Sequence, residues 1–150
     1  MTVHRLTFVL LSFIVVASAA GQKTLEQLKS AAENAKGGQQ AKLYAELAAQ
    51  LVNVADQQFN QGDSTAGQAT VRDILQDATK AHDGAISTRD NRKEVEILLR
   101  QTQRSLENLK RTLAADDRPP LDEVENKLAQ FRQDLLDSMF SPNHKKKEPQ

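Results

Sequence analysis

The chain has 150 residues, carries 20 Lys and Arg against 20 Asp and Glu, and contains no cysteine. That length is about one domain's worth of chain. Lack of cysteine excludes a disulfide framework, a lipoprotein's acylated thiol, c-type haem attachment and a thiol nucleophile, so an apolar core alone must hold the fold. The balanced charge gives no electrostatic reason to expect nucleic acid as a partner.

The first 20 residues read as a secretory signal peptide. His4 and Arg5 form a basic start, Leu6–Val16 is apolar apart from Thr7 and Ser12, and Ala17-Ser18-Ala19-Ala20 supplies the small residues of a cleavage site. Cleavage falls after Ala19 or after Ala20. A membrane-spanning helix needs about 20 apolar residues, more than this run offers. Loss of Arg5 takes the formal charge of the remainder from zero to minus one. Its aromatics are Tyr44, Phe59, Phe131 and Phe140, too few for base-stacking platforms or an aromatic-lined cleft.

From Gln22 to Arg118 there is no proline, and Ala, Leu, Gln, Glu, Lys and Arg dominate. No stretch alternates apolar and polar residues for long, so the predicted class is all-α. The expected architecture is a small antiparallel bundle of four to five helices over residues 24–140, following the signal helix.

Thr24-Leu25-Glu26-Gln27 fits a capping box, which starts a first helix that runs to about Ala35 before Gly37-Gly38 stops it. A second helix is predicted from about Gln39 to Gln61, with Leu43, Leu47, Leu51 and Val54 along one line and five alanines beside it. Gly62 ends it. Asp63 or Ser64 caps a third helix to about Asp83, with Val71, Ile74, Leu75, Ala78 and Ala81 inward. Asp83-Gly84 is the next break signal, read as a short loop through Ser87, with a kinked continuous helix as the alternative.

Arg89–Ala115 is predicted as a single long helix of roughly 40 Å, the element around which the others assemble. Val95, Leu99, Thr102, Leu106, Leu109 and Leu113 follow at spacings of three and four and share one narrow stripe. The third helix is expected to cover the first half of this seam and the last helix its second half, leaving the ends for a partner chain. Asp116-Asp117-Arg118-Pro119-Pro120 then forces a break, and Pro120 suits the first position of the next helix. That last helix runs to about Phe140, its stripe being Val124, Leu128, Phe131, Leu135 and Met139, and pairs antiparallel with the long one. Residues 141–150 have little to bury and read as a disordered basic tail.

At Leu51–Ile74, with Ala55 and Gly67 as small residues around Gly62-Asp63, the chain resembles a tetratricopeptide-type hairpin. The likeness covers one hairpin, with no second copy at a 34-residue period. More broadly, the order of Val95–Leu113, the Pro119-Pro120 break and Asp134–Phe140 resembles exported helical proteins of environmental bacteria that have no assigned activity. That resemblance implies export and an all-helical fold, and supplies no catalytic residue.

Catalytic signatures are missing from the sequence: it has no His-Glu-x-x-His helix, no Gly-x-Ser-x-Gly elbow and no phosphate-binding glycine loop. His82 and His144 are the histidines outside the signal segment; His82 reads as a solvent-facing helix-end residue, with weak metal binding beside Asp83 as the alternative. No cofactor or metal is expected. Glu96–Arg100, Glu107–Arg111 and Glu123–Lys127 read as surface pairs. The sharpest functional candidate is a basic face, Arg89, Lys93, Arg100, Arg104 and Arg111, opposite the seam, suited to an anionic partner and interrupted by Glu96 and Glu107. The predicted role is a non-enzymatic structural or protein-interaction module of the bacterial cell envelope, periplasmic or extracellular, partnered by another protein or by itself. A periplasmic binder of a small ligand or metal is the rival, with a tetratricopeptide-like scaffold as a third.

Overall fold

A computed structural model describes residues 23–141. The expected signal segment (1–20) and the tail from residue 142 onward lie outside the described residues. Five α-helices follow one another: α1 Leu25–Asn34, α2 Gly37–Asn60, α3 Ser64–Thr88, α4 Arg92–Thr112 and α5 Pro119–Phe140. A single 3-10 turn, Ala115–Asp117, joins α4 to α5. There is no strand among the described residues, and no described helix is long and apolar enough to cross a membrane.

Local chemistry sets most of the boundaries. The Thr24 hydroxyl accepts the Gln27 amide hydrogen, and the Gln27 side chain accepts from the Thr24 amide, closing the capping box. Asp63 caps α3 by accepting from the Ala66 amide at 2.9 Å, and Gly62 makes the turn before it at φ +80°. Arg118 donates from Nε and Nη2 to the Leu113 carbonyl, which would otherwise be orphaned where α4 ends.

Contact registers define the topology. Gln58 meets Thr70, and a side chain at position 84 would meet Ala41, so positions on α2 and α3 sum to a nearly constant value and the two helices run antiparallel. The same holds for α4 and α5, where Arg92 bonds to the Ser138 carbonyl, Glu96 to Arg132 and Lys110 to Asp122. Between α3 and α5 it is the difference that stays constant: Ser64 and Gln68 bond to Asp117 just before α5, and His82 stacks on Phe131. These two are therefore parallel neighbours. With α2 against α4 as the fourth contact, the helices stand in the square order α2–α3–α5–α4. α1 lies outside the square, packed antiparallel on α2, where the Gln40 side chain donates to the Ala32 carbonyl.

Four expectations about this region are corrected. First, no break occurs at Gly84: α3 continues through it to Thr88, and the chain turns at Arg89 and Asn91, both left-handed with φ 60° and 53°. Gly84 lies inside the helix where it faces α2, and a Cβ there would stand 3.0 Å from the Ala41 methyl. Second, Gly37-Gly38 opens α2 instead of only stopping α1, with Gly37 at φ +61°. Third, α4 is 21 residues, shorter than α2 at 24 and α3 at 25. The tightest pairing is α2 with α3, so that hairpin, and not α4, is the packing centre. Fourth, α3 and α4 are consecutive yet sit on a diagonal of the square and touch little; α2 and α5 cover the seam of α4.

The seam itself is buried along its whole length, from Val95 at 0 % exposure to Leu113 at 8 %. Its ends are therefore not open to a partner chain. Thr102, in the middle of that seam, donates its hydroxyl to the Leu98 carbonyl one turn back at 2.9 Å, so it brings no unsatisfied polar atom into the core.

Candidate functional site

The five basic residues singled out in the sequence do not all share a helix. Arg89 is the left-handed residue that ends α3 and stands outside α4. The remaining four, Lys93, Arg100, Arg104 and Arg111, do lie on α4. At 100° per residue they fall within about 20° of one line and extend over roughly 27 Å. Lys93, Arg104 and Arg111 are exposed, and Arg100 is partly so.

The interrupting glutamates behave differently from each other. Glu96 is 6 % exposed, turned into the α4–α5 interface. Arg132 of α5 donates to it from Nε at 3.1 Å and also to Gln103 at 2.8 Å, while Arg100 stands 3.7 Å from its second oxygen. Glu96 is thus held by α5 and removed from the stripe. Glu107 remains partly exposed, and among the described residues neither it nor Glu123 forms the expected ion pair with Arg111 or Lys127.

Beside the N-terminal half of the stripe, α4 and α5 leave a groove of about 440 Å³. Ile97, Leu136, Met139 and Phe140 are its apolar lining residues, and Lys93, Glu96 and Arg100 its charged ones. Phe140 is the exposed large hydrophobic residue of the described chain, with 77 % of its surface in water. Met139, expected in the inward stripe of the last helix, is half-buried and lines this groove instead. Sequence reading missed the site. The signal available was Ile97, an isoleucine between Lys93 and Arg100 on the polar side of α4, together with Leu136 and Phe140 one turn apart on α5.

A second concavity of about 430 Å³ lies between α1, α2 and α3. Leu25, Tyr44, Leu47 and Leu51 line it, with Asp77 and Lys80 among its polar residues. The Lys80 ammonium sits 4.7 Å from the Tyr44 ring centre and 3.6 Å from Asp77. Asp77 is 8 % exposed, and burial pushes its carboxyl above the ordinary carboxylate range against the pull of Lys80.

His82 is neither a solvent-facing residue nor part of a metal cluster. Its side chain is 13 % exposed, its ring is stacked on Phe131 with centroids 4.5 Å apart, and Nδ1 is 2.8 Å from Asp83. Nε2 lies 3.3 Å from Asp134, near enough for an ion pair but outside hydrogen-bonding geometry. The histidine ties α3 to α5. No group of three or more His, Cys, Asp or Glu able to hold a metal occurs among the described residues.

At the other end of the α4–α5 interface, Lys110 bridges Asp122 at 2.8 Å and the buried Glu125. The hydrogen bonds that Lys110 donates to Asp122 and then to Glu125 hold its pKa above the ordinary value.

The architecture is that of a four-helix bundle with an added N-terminal helix. Comparison with protein-family models, curated proteins and solved structures gave no match.

Proposed function

We propose that this chain is an exported, non-enzymatic interaction module of the bacterial cell envelope, which acts by presenting its α4–α5 surface to another protein. Export is supported by the basic, apolar and small-residue order of Met1–Ala20. The interaction reading is carried by one observation: Phe140 stands 77 % exposed at the mouth of an apolar groove, on a bundle whose other large apolar residues are buried or half-buried. Transfer of a phenylalanine from water into an apolar contact gains about 1.5–3 kcal/mol. An isolated exposed apolar residue needs no explanation, but one that shares a concavity with three half-buried ones beside a cationic stripe marks an interaction surface.

The test is co-purification from cells that make the protein natively, comparing the wild type with a Phe140→Asp, Lys93→Glu variant. Both positions are exposed, so the variant is expected to melt within a few degrees of the wild type. A partner retained by the wild type and lost from the variant supports the reading. Identical recovery from both removes its basis.

The binder of a small ligand is kept as a second reading because of the α1–α3 cleft, which the buried Asp77 lines together with Leu25, Leu47 and Leu51. A thermal-shift screen of metals and metabolites separates the two. A reproducible shift for one compound, abolished by Asp77→Ala, favours the cleft.

A further inference from the structure

The groove invites the question of what fills it, and charge decides among the candidates. A second copy of this chain, docked by the same surface, would bring a second cationic stripe, with its Lys93 and Arg100, to the contact. Like charges facing one another across an apolar contact are repulsive, so self-association here is disfavoured. The segment that follows α5 carries Lys145, Lys146 and Lys147, with proline as its sole apolar residue type, and so suits neither the lining nor the rim. The N-terminal segment is apolar, but its charged residue is Arg5 and it offers no anion.

The complement of this surface is a ligand that is apolar on one side and anionic beside it. Its shape narrows the choice further. The groove is a concavity between two antiparallel helices, and the cations run away from it in a straight line along α4 for roughly 27 Å. A planar membrane meets convex protrusions, whereas a third helix can lie in such a furrow with its axis along the stripe. Met139 and Ile97 in its lining suit helix anchors of varied shape, methionine being the most adaptable apolar side chain.

We propose that the α4–α5 surface docks an amphipathic helix of another protein. Its apolar anchors, spaced i, i+3 or i+4, fill the groove of Ile97, Leu136, Met139 and Phe140. Its acidic flank lies along Lys93, Arg100, Arg104 and Arg111. This rests on the interaction reading above and adds the chemistry and shape of the partner to it.

The probe is a displayed library of 18-residue helical peptides. Leu, Ile, Met or Phe is fixed at the anchor positions, and the flanking positions are randomised among Glu, Gln and Lys. Selection is run on the full chain, with counter-selection on a Phe140→Asp, Met139→Lys variant whose helix content is verified by circular dichroism. The expected result is enrichment of Glu over Lys on one flank. The best peptide should lose at least tenfold in affinity on Lys93→Glu, Arg104→Glu, and should weaken as salt is raised. Its binding should shift amide signals at Ile97, Leu136 and Met139. Enrichment of Lys or Gln, no peptide that depends on the groove, or signals confined to the α1–α3 cleft overturns the proposal. So does sedimentation of the chain with phosphatidylglycerol vesicles that requires Phe140 and Lys93 while no peptide is selected, because the surface then belongs to a membrane. If native co-purification depends on Phe140 yet the library shows no acidic preference, the helix assignment fails while the interaction reading stands.

Discussion

Gly84 of α3 and Ala41 of α2 meet so closely that a methyl group built on the glycine would lie 3.0 Å from the Ala41 methyl. Ala41 is 1 % exposed and belongs to the tightest helix pair, so it has nowhere to retreat. A glycine inside a helix is unfavourable by about 1 kcal/mol relative to alanine. Overpacking a well-filled contact costs about 1–3 kcal/mol. With no give in the α2 backbone the second effect exceeds the first. Gly84→Ala is therefore expected to destabilise the chain by about 1 kcal/mol, although a propensity argument alone gives the opposite sign. Urea unfolding decides it: a stabilised Gly84→Ala would mean that α2 and α3 can separate at this crossing.

Lys110 joins α4 to α5 through Glu125, whose side chain is 10 % exposed and whose second oxygen has no hydrogen-bond partner among the described residues. Removing the lysine leaves a buried carboxylate without its cation, the costly way to break such a pair. Lys110→Met is expected to lose about 2 kcal/mol, and Lys110→Met with Glu125→Leu should recover most of it. The lysine's raised pKa adds a pH signature. Its contribution is fully present below the ordinary lysine value and is lost as pH climbs through the raised folded value. Alkaline unfolding should therefore separate wild type from Lys110→Met less and less as pH rises past that point. A difference that stays constant at high pH would show that the ion pair contributes nothing.

Asp77 gives a pH dependence at the acidic end. Burial raises its pKa in the folded chain above the ordinary aspartate value of 3.8. Below that ordinary value the carboxyl is neutral whether the chain is folded or not, so it imposes no penalty. As pH rises through the higher folded value, the unfolded chain releases the proton more readily and stability is lost. Asp77→Asn stays neutral throughout. Its stability should match the wild type below the ordinary aspartate value, exceed it increasingly as pH rises through the raised folded value, and keep a constant margin above that. Chemical denaturation of both proteins across that range is the measurement. A variant that is less stable at neutral pH would mean that the ion pair with Lys80, at 3.6 Å, outweighs desolvation.

Much of the fold could be read along the chain because it is written in short-range terms. Thr24 and Gln27 are three residues apart, Gly62 and Asp63 adjoin, and the seam from Val95 to Leu113 repeats at helical spacing. Each was placed from sequence and is found where the spacing puts it. Features that depend on partners far along the chain were not legible. Gly84 looks like a break until Ala41 is seen across from it. Glu96 looks like a surface residue until Arg132, 36 positions later, folds over it. His82 gave no hint of Phe131. The square order of the helices is of the same kind, since a three-residue connection over Arg89–Asn91 does not say whether its helices are neighbours or diagonal. The groove went unseen because its lining comes from two helices, each of which already shows a stronger apolar stripe facing the core.

The most direct test of the functional account is site-specific photo-crosslinking in cells that make the protein. A benzophenone amino acid would be placed at Met139 in the groove and, as a control, at Gln130, an exposed position on the same helix. The account predicts a discrete crosslinked species from position 139 that contains a second protein, is absent from position 130, and fades when Lys93 and Arg104 are both changed to Glu. Matching crosslinks from the two positions, or none from position 139, would contradict it.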